Sequence, residues 1–186
     1  MHRSAWIVAA AGLALAACNG DKTSSNAASA QANDAAATAD KAAAAALGDG
    51  RFAQAVRAAG FERTLEGVGP YTVLKPSDAA FDALPAGRLD ALLAPTGKRD
   101  LNALLTTHII PGTMLAGDIG AAIDRGNGKA TLATFGGATL TATRDGETVV
   151  LTDSAGTRAR FAGGELRVSN GVIHPIDAVL LAPKRQ

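Results

Sequence analysis

The chain has 186 residues, of which 47% are hydrophobic and 4% aromatic, and a formal charge of +1. That length suits one domain of ordinary size with a substantial core, built from Leu, Val and Ile around Phe52, Phe61, Phe81, Phe135 and Phe161 as large fillers. A nearly neutral chain has no electrostatic reason to hold nucleic acid or an anionic membrane surface.

Residues 1–17 read as an export signal. Arg3 gives the positive start, and residues 5–15 form an apolar stretch too short to span a bilayer as a helix. Removing Arg3 takes the 18 basic residues to 17, against 17 acidic ones, so the mature chain is neutral. Cys18 is the single cysteine and has no disulfide partner. The run Leu15-Ala16-Ala17-Cys18 resembles a bacterial lipobox, which implies acylation of Cys18 and anchoring through acyl chains alone. The plainer alternative is a secreted protein cut near Ala17. Asn19 after the cysteine, in place of Asp, is similar to Gram-negative lipoproteins sorted to the outer membrane, so the outer membrane or its periplasmic face is the expected address.

Residues 18–46 are Ala, Ser, Asn, Asp, Thr and Lys with almost no bulky apolar side chain. They bury too little to offset ordering and read as a flexible tether of roughly 30 Å reach, in which the alanines at 42–46 form at most a marginal helix. The domain is expected over residues 47–183, with a tail at 184–186. A helix follows over residues 49–59, with Phe52, Ala55, Val56 and Ala59 on one face and Gly60 at its end. Residues 71–74 read as a strand that Pro76 stops. Ser77 is the N-cap of the next helix, Asp78 adds negative charge at its positive end, and Ala79, Ala80, Phe81 and Leu84 continue it. A short helix over residues 88–93 ends before Pro95. Another opens at Thr96 or Gly97, carries Leu101, Leu104, Leu105 and His108 on its apolar side, and closes at Pro111-Gly112. Residues 114–123 have no clear period, and 124–128 read as a polar loop.

From there the chain is short β-rich runs separated by turn dipeptides. Residues 130–134 and 138–144 flank Gly136-Gly137, Asp145-Gly146 is a two-residue hairpin turn into 148–152, and 157–161 turns Arg158 and Arg160 outward. Residues 165–169 and 172–181 pair across the tight bend Asn170-Gly171. Pro175 cannot donate to a ladder, which places the last strand at an edge or on a bulge. Helices first and strands afterwards, without βαβ alternation, give an α+β domain.

Three segments carry a family resemblance: residues 72–81 around Pro76-Ser77-Asp78, residues 104–112 with His108 before Pro111-Gly112, and residues 170–183 opening on Asn170-Gly171. Together they resemble the fasciclin-like domain in order and spacing. The resemblance implies a β-wedge or sandwich of mostly antiparallel strands with several helices packed along one side. It also implies that His108 bonds Asp78, and that the region of Thr107, His108, Ile109 and Ile110 is a candidate partner contact. Thr107 stands where such domains usually carry a tyrosine.

A His108–Asp78 pair has two readings, a reactive pair or a tether between the helix end and the Ser77 turn. No activated nucleophile accompanies it, and the sequence holds no G-x-S-x-G elbow, P-loop or dinucleotide fingerprint, so the tether is favoured. His174 has one histidine besides itself outside the leader and no ligand spacing around it, so no metal site is assigned. Asp177 reads as a surface or backbone-bonding residue. The expected function is a non-catalytic, monomeric adhesion or binding module, without cofactor, contacting a protein or polysaccharide of the cell envelope or extracellular matrix. The alternatives are an envelope-glycan hydrolase or a small-ligand carrier using the His108 and Asp78 region.

Overall fold

The structure, a computed structural model, describes residues 40–181. The leader, Cys18, residues 19–39 of the tether and the tail lie outside the described residues. Helix α1 (Ala43–Ala46), α2 (Arg51–Ala59) and α3 (Glu62–Glu66) precede strand β1 (Tyr71–Pro76). Then come α4 (Asp78–Asp82), α5 (Arg88–Leu93), a 3-10 turn (Pro95–Gly97), α6 (Lys98–Thr107), β2 (Ile109–Pro111) and α7 (Ala116–Arg125). Strands β3 (Ala130–Ala133), β4 (Thr139–Asp145), β5 (Thr148–Thr152), β6 (Arg158–Arg160), β7 (Leu166–Val168) and β8 (Gly171–Ile176) complete the domain.

The strands form two four-stranded sheets, ordered β2-β1-β8-β7 and β3-β4-β5-β6. All neighbours are antiparallel except β1 and β8, which run parallel from Tyr71 opposite Gly171 to Pro76 opposite Ile176. The expected α+β class holds. Both central strands are buried on both faces, so they read as near-continuous apolar runs. Alternation along each strand then divides two cores. Val73, Ile109 and Ile173 face the layer of helices α1–α6, where they meet Phe52, Leu65, Leu101 and Leu105. Leu74, Ile110 and Ile176 face the second sheet and α7, meeting Ile119, Ile123, Leu140 and Leu151. Each fully buried side chain of this size contributes about 1.5–3 kcal/mol.

Local signals explain most element ends. Gly60 adopts φ 74° and closes α2, with Phe61 N–H bonded to the Val56 carbonyl at 3.0 Å. Ser77 Oγ accepts the Ala80 N–H at 3.2 Å, as an N-cap should.

Several expectations change. The alanine run at 42–46 is not tether: Ala43 and Leu47 are buried among the helices, so the ordered domain starts before the boundary drawn at Leu47. The Lys41 carbonyl already accepts the Ser169 N–H at 2.9 Å. The helix after Ser77 ends at Asp82. Most of residues 114–123, from Ala116, and the start of the polar loop form α7, whose first turn is held by carboxylates that accept backbone N–H bonds. Asp118 takes that of Leu115 at 3.1 Å and Glu165, 49 positions on, that of Ala116 at 2.9 Å. In the β4–β5 hairpin Asp145 pairs with Thr148, so the two loop residues are Gly146 and Glu147, one position later than expected. Strand β8 is internal to its sheet and not an edge. Pro175 causes no break because it faces away from β1: its carbonyl accepts from Ala162 N–H at 2.8 Å, while Ile176 bonds Ser77 across the parallel ladder. Phe135 is no core filler, being 51% exposed.

Candidate functional site

The residues singled out by sequence are drawn into backbone bonds inside the fold. Asp78, on the first turn of α4, accepts the Arg51 N–H at 2.8 Å and so caps α2 from a neighbouring element. Asn170 is buried in the β7–β8 turn. Its Oδ1 accepts the Ala43 N–H, and its Nδ2 donates to the carbonyls of Leu65 and Gly67, each at 2.7 Å. The Tyr71 N–H reaches its main-chain carbonyl at 2.9 Å, which sets the start of β1 beside β8. Gly171 lies at φ 154°, and a Cβ there would strike the Tyr71 carbonyl, so only glycine allows this approach.

His108 does not meet Asp78. It caps the C-terminus of α6 with no exposed surface. Its Nδ1–H donates to the Leu104 carbonyl at 2.9 Å, and its Nε2 accepts the Leu180 N–H at 3.1 Å. Those roles fix the neutral Nδ1–H tautomer. Burial pushes its pKa down to about 4, against smaller opposing effects of the Leu104 carbonyl and the Asp153 carboxylate. A tether therefore exists, but its far end is Leu180, because both ring nitrogens are already taken by backbone groups. This contradicts the reactive pair and, with it, a hydrolase built on His108 and Asp78.

Thr107, His108, Ile109 and Ile110 are all buried, at 2% exposure or less, which corrects their reading as a partner contact. Thr107 Oγ1 bonds back to the Ala103 carbonyl at 2.9 Å, and the two isoleucines point into opposite cores. His174 stacks on Phe161 with ring centroids 4.6 Å apart and bonds the Met114 carbonyl at 2.7 Å. Burial lowers its pKa too, ahead of opposing effects from that carbonyl and Glu165. Asp177 accepts the Arg160 N–H at 2.7 Å, the backbone-bonding role expected of it. Among the described residues no three His, Cys, Asp or Glu side chains gather as a metal site.

Asp153 is the residue the sequence reading missed. Its Oδ1 accepts the N–H groups of Ala155 and Thr157 at 2.8 Å, and its Oδ2 accepts that of Leu181 at 2.7 Å. His108 and Asp153 thus clip successive residues of the C-terminal segment. The Asp-Ser-Ala-Gly turn was a visible signal for the first two bonds; nothing local pointed to Leu181.

The surface offers a different site. An open groove of about 1190 Å³ lies between helices α5 and α6 on one side and the β3–β4 and β5–β6 turns on the other. Arg99, Asn102, Ala103 and Thr106 line it at the spacing of one helical face, with Arg88, Asp100, Phe135, Ser154 and Leu181 around them. Phe135 is held in place by its backbone: its N–H donates to the Ile109 carbonyl at 2.7 Å, and that of Gly136 to the Thr106 carbonyl at 3.0 Å. A Cβ on Gly136 would collide with the Thr106 hydroxyl, so the turn needs glycine to sit this close to α6. An aromatic beside Gly136-Gly137 at a hairpin tip was the available sequence signal.

A helix-covered mixed sheet joined to an antiparallel one, with its Pro76 corner, His108 and Asn170 bend as internal locks, defines the class of protein. The chain belongs to the fasciclin domain family, which it matches over residues 50–182. It is 38% identical over 130 residues to the Synechocystis protein sll1483, covering 69% of this chain and 64% of that one. It is also 34% identical over 120 residues to the cell surface glycolipoprotein MPB83 of Mycobacterium bovis, of which it spans 47%. To the pig transforming growth factor-beta-induced protein ig-h3 it is 34% identical over 128 residues, spanning 17% of that chain. Among solved structures, a FAS1 domain pair from the insect cell adhesion molecule Fasciclin I superposes with a TM-score of 0.65 at 17% identity, covering 77% of this chain and 51% of the other. That likeness is one of fold.

Proposed function

We propose that the protein is a non-catalytic binding or adhesion module of the cell envelope. Acylation of Cys18 holds it at the outer membrane or its periplasmic face, and a monomeric domain contacts a protein or polysaccharide partner there. The observation that carries this reading is the use of the signature residues: Asp78, His108 and Asn170 bond backbone groups of other segments, and Ser77 the first turn of the helix it caps. Their chemistry maintains the scaffold, and the outer surface is left for contact. Support also comes from a relative that carries the name of a cell surface glycolipoprotein. None of the described helices is long and apolar enough to cross a membrane, which suits an anchor made of acyl chains.

The test is mass spectrometry of the mature amino terminus in the native host, together with fractionation of a Cys18→Ser variant. A diacyl or triacyl mass on Cys18 and release of the variant from the membrane are expected. An unmodified mature terminus, with both forms soluble, overturns the anchor.

A further inference from the structure

We propose that the groove beside Phe135 binds a segment of acidic polysaccharide, a chain of uronate-bearing sugars. The proposal rests on the reading of the domain as a binding module and assigns its contact surface. A half-exposed phenylalanine on a turn bonded by two backbone N–H groups to β2 and α6 is a rigid aromatic platform. Its apolar face matches the C–H face of a pyranose ring. Arg88 and Arg99 have no carboxylate partner among the described residues. Guanidinium forks of this kind donate to carboxylates in bidentate fashion, and a single acid, Asp100, shares the wall with them. Asn102 and Ser154 add the short amide and hydroxyl groups that sugar hydroxyls need.

The shape decides against other occupants. At about 1190 Å³ and open to solvent, the groove exceeds the usual enclosed small-molecule site of about 300–1,000 Å³ and suits a polymer that passes through. An amphipathic helix would need a row of exposed apolar anchors, whereas the lining leucines Leu92 and Leu104 are buried and the α6 face otherwise presents Arg99, Asn102, Ala103 and Thr106.

The experiment titrates the full mature chain with polygalacturonate, with dextran as a neutral glycan and poly-glutamate as an acidic peptide. Saturable binding of polygalacturonate alone is expected. Phe135→Ala should weaken it at least tenfold, while Phe135→Tyr keeps it. Arg88→Gln and Arg99→Gln should each weaken it severalfold and flatten its salt dependence, and these exposed sites serve as independent probes should Phe135→Ala fold poorly. Equal binding of poly-glutamate, or binding of polygalacturonate that none of the substitutions changes, overturns the proposal. So does a lack of polygalacturonate binding. In a parallel arm the same chains are added to isolated cell envelopes. Retention of wild type and Phe135→Ala alike, without polygalacturonate binding, removes the groove and leaves the binding module standing; no retention of the wild type removes both.

Discussion

At the scale of single residues, His108 has the largest consequence. It is a neutral ring in an apolar interior, accepting a backbone N–H from 72 positions away. His108→Ala leaves the Leu180 N–H buried and unpaired and opens a cavity, so a loss of about 2–4 kcal/mol is expected in urea unfolding. The ring also makes stability depend on pH. An unfolded chain takes up a proton near pH 6.5, while the folded chain resists until about pH 4. Stability contributed by this site is therefore complete above pH 6.5 and falls as pH drops towards 4. The whole effect is on the order of 3 kcal/mol. His174 shifts in the same direction and adds to it. Urea midpoints measured between pH 7.5 and 4.5 should fall steeply for the wild type and less for His108→Gln; parallel curves for the two chains would remove His108 as the cause.

At the scale of elements, caps delivered from a distance do much of the positioning. Asp78 serves α2, and Glu165 serves α7, each through one carboxylate oxygen. Asp78→Ala should cost about 1 kcal/mol by denaturant unfolding, the usual worth of an N-cap, and amide exchange should quicken at Arg51 and Phe52. An effect confined to α4 would mean that the carboxylate acts only on its own helix. Distant caps also mark where sequence is hard to read. The Pro76–Ser77 corner, the hairpins and the 3.6-residue spacing of Phe52, Ala55 and Val56 are local and were legible. Helix α7 was not, because Gly117 and Gly120 depress its intrinsic propensity while Ile119 and Ile123, four apart, gain their burial from the core between the two sheets. The sheet order escaped for a related reason: the parallel pairing of β1 and β8 joins positions a hundred residues apart. The Phe135 groove has walls from five separate segments, and a lone aromatic in a chain poor in aromatics reads as core until its neighbours are placed.

At the scale of the whole molecule, the amino-terminal boundary of the folded unit is part of the sheet architecture. The Lys41 carbonyl holds the Ser169 N–H in the turn after β7, and Ala43 is held by Asn170. A chain beginning at Leu47 loses both contacts. It should melt several degrees below one beginning at Asp40; equal melting temperatures would show that residues 40–46 contribute nothing. The two cores share β1 and β8 as a common wall, so substitutions at Leu74 and Val73, which face opposite ways, should each destabilise the molecule as a single cooperative unit.

The sheet's two borders have different company. Lys41 bonds beside β7, whereas the turn bearing Phe135 bonds to β2, three strand spacings or about 14 Å across the sheet. The described chain thus begins on the flank opposite the trough. An anchor joined to the domain at that point would enter it on the far border from the aromatic shelf and its two guanidinium groups, leaving them free to meet a polymer lying alongside.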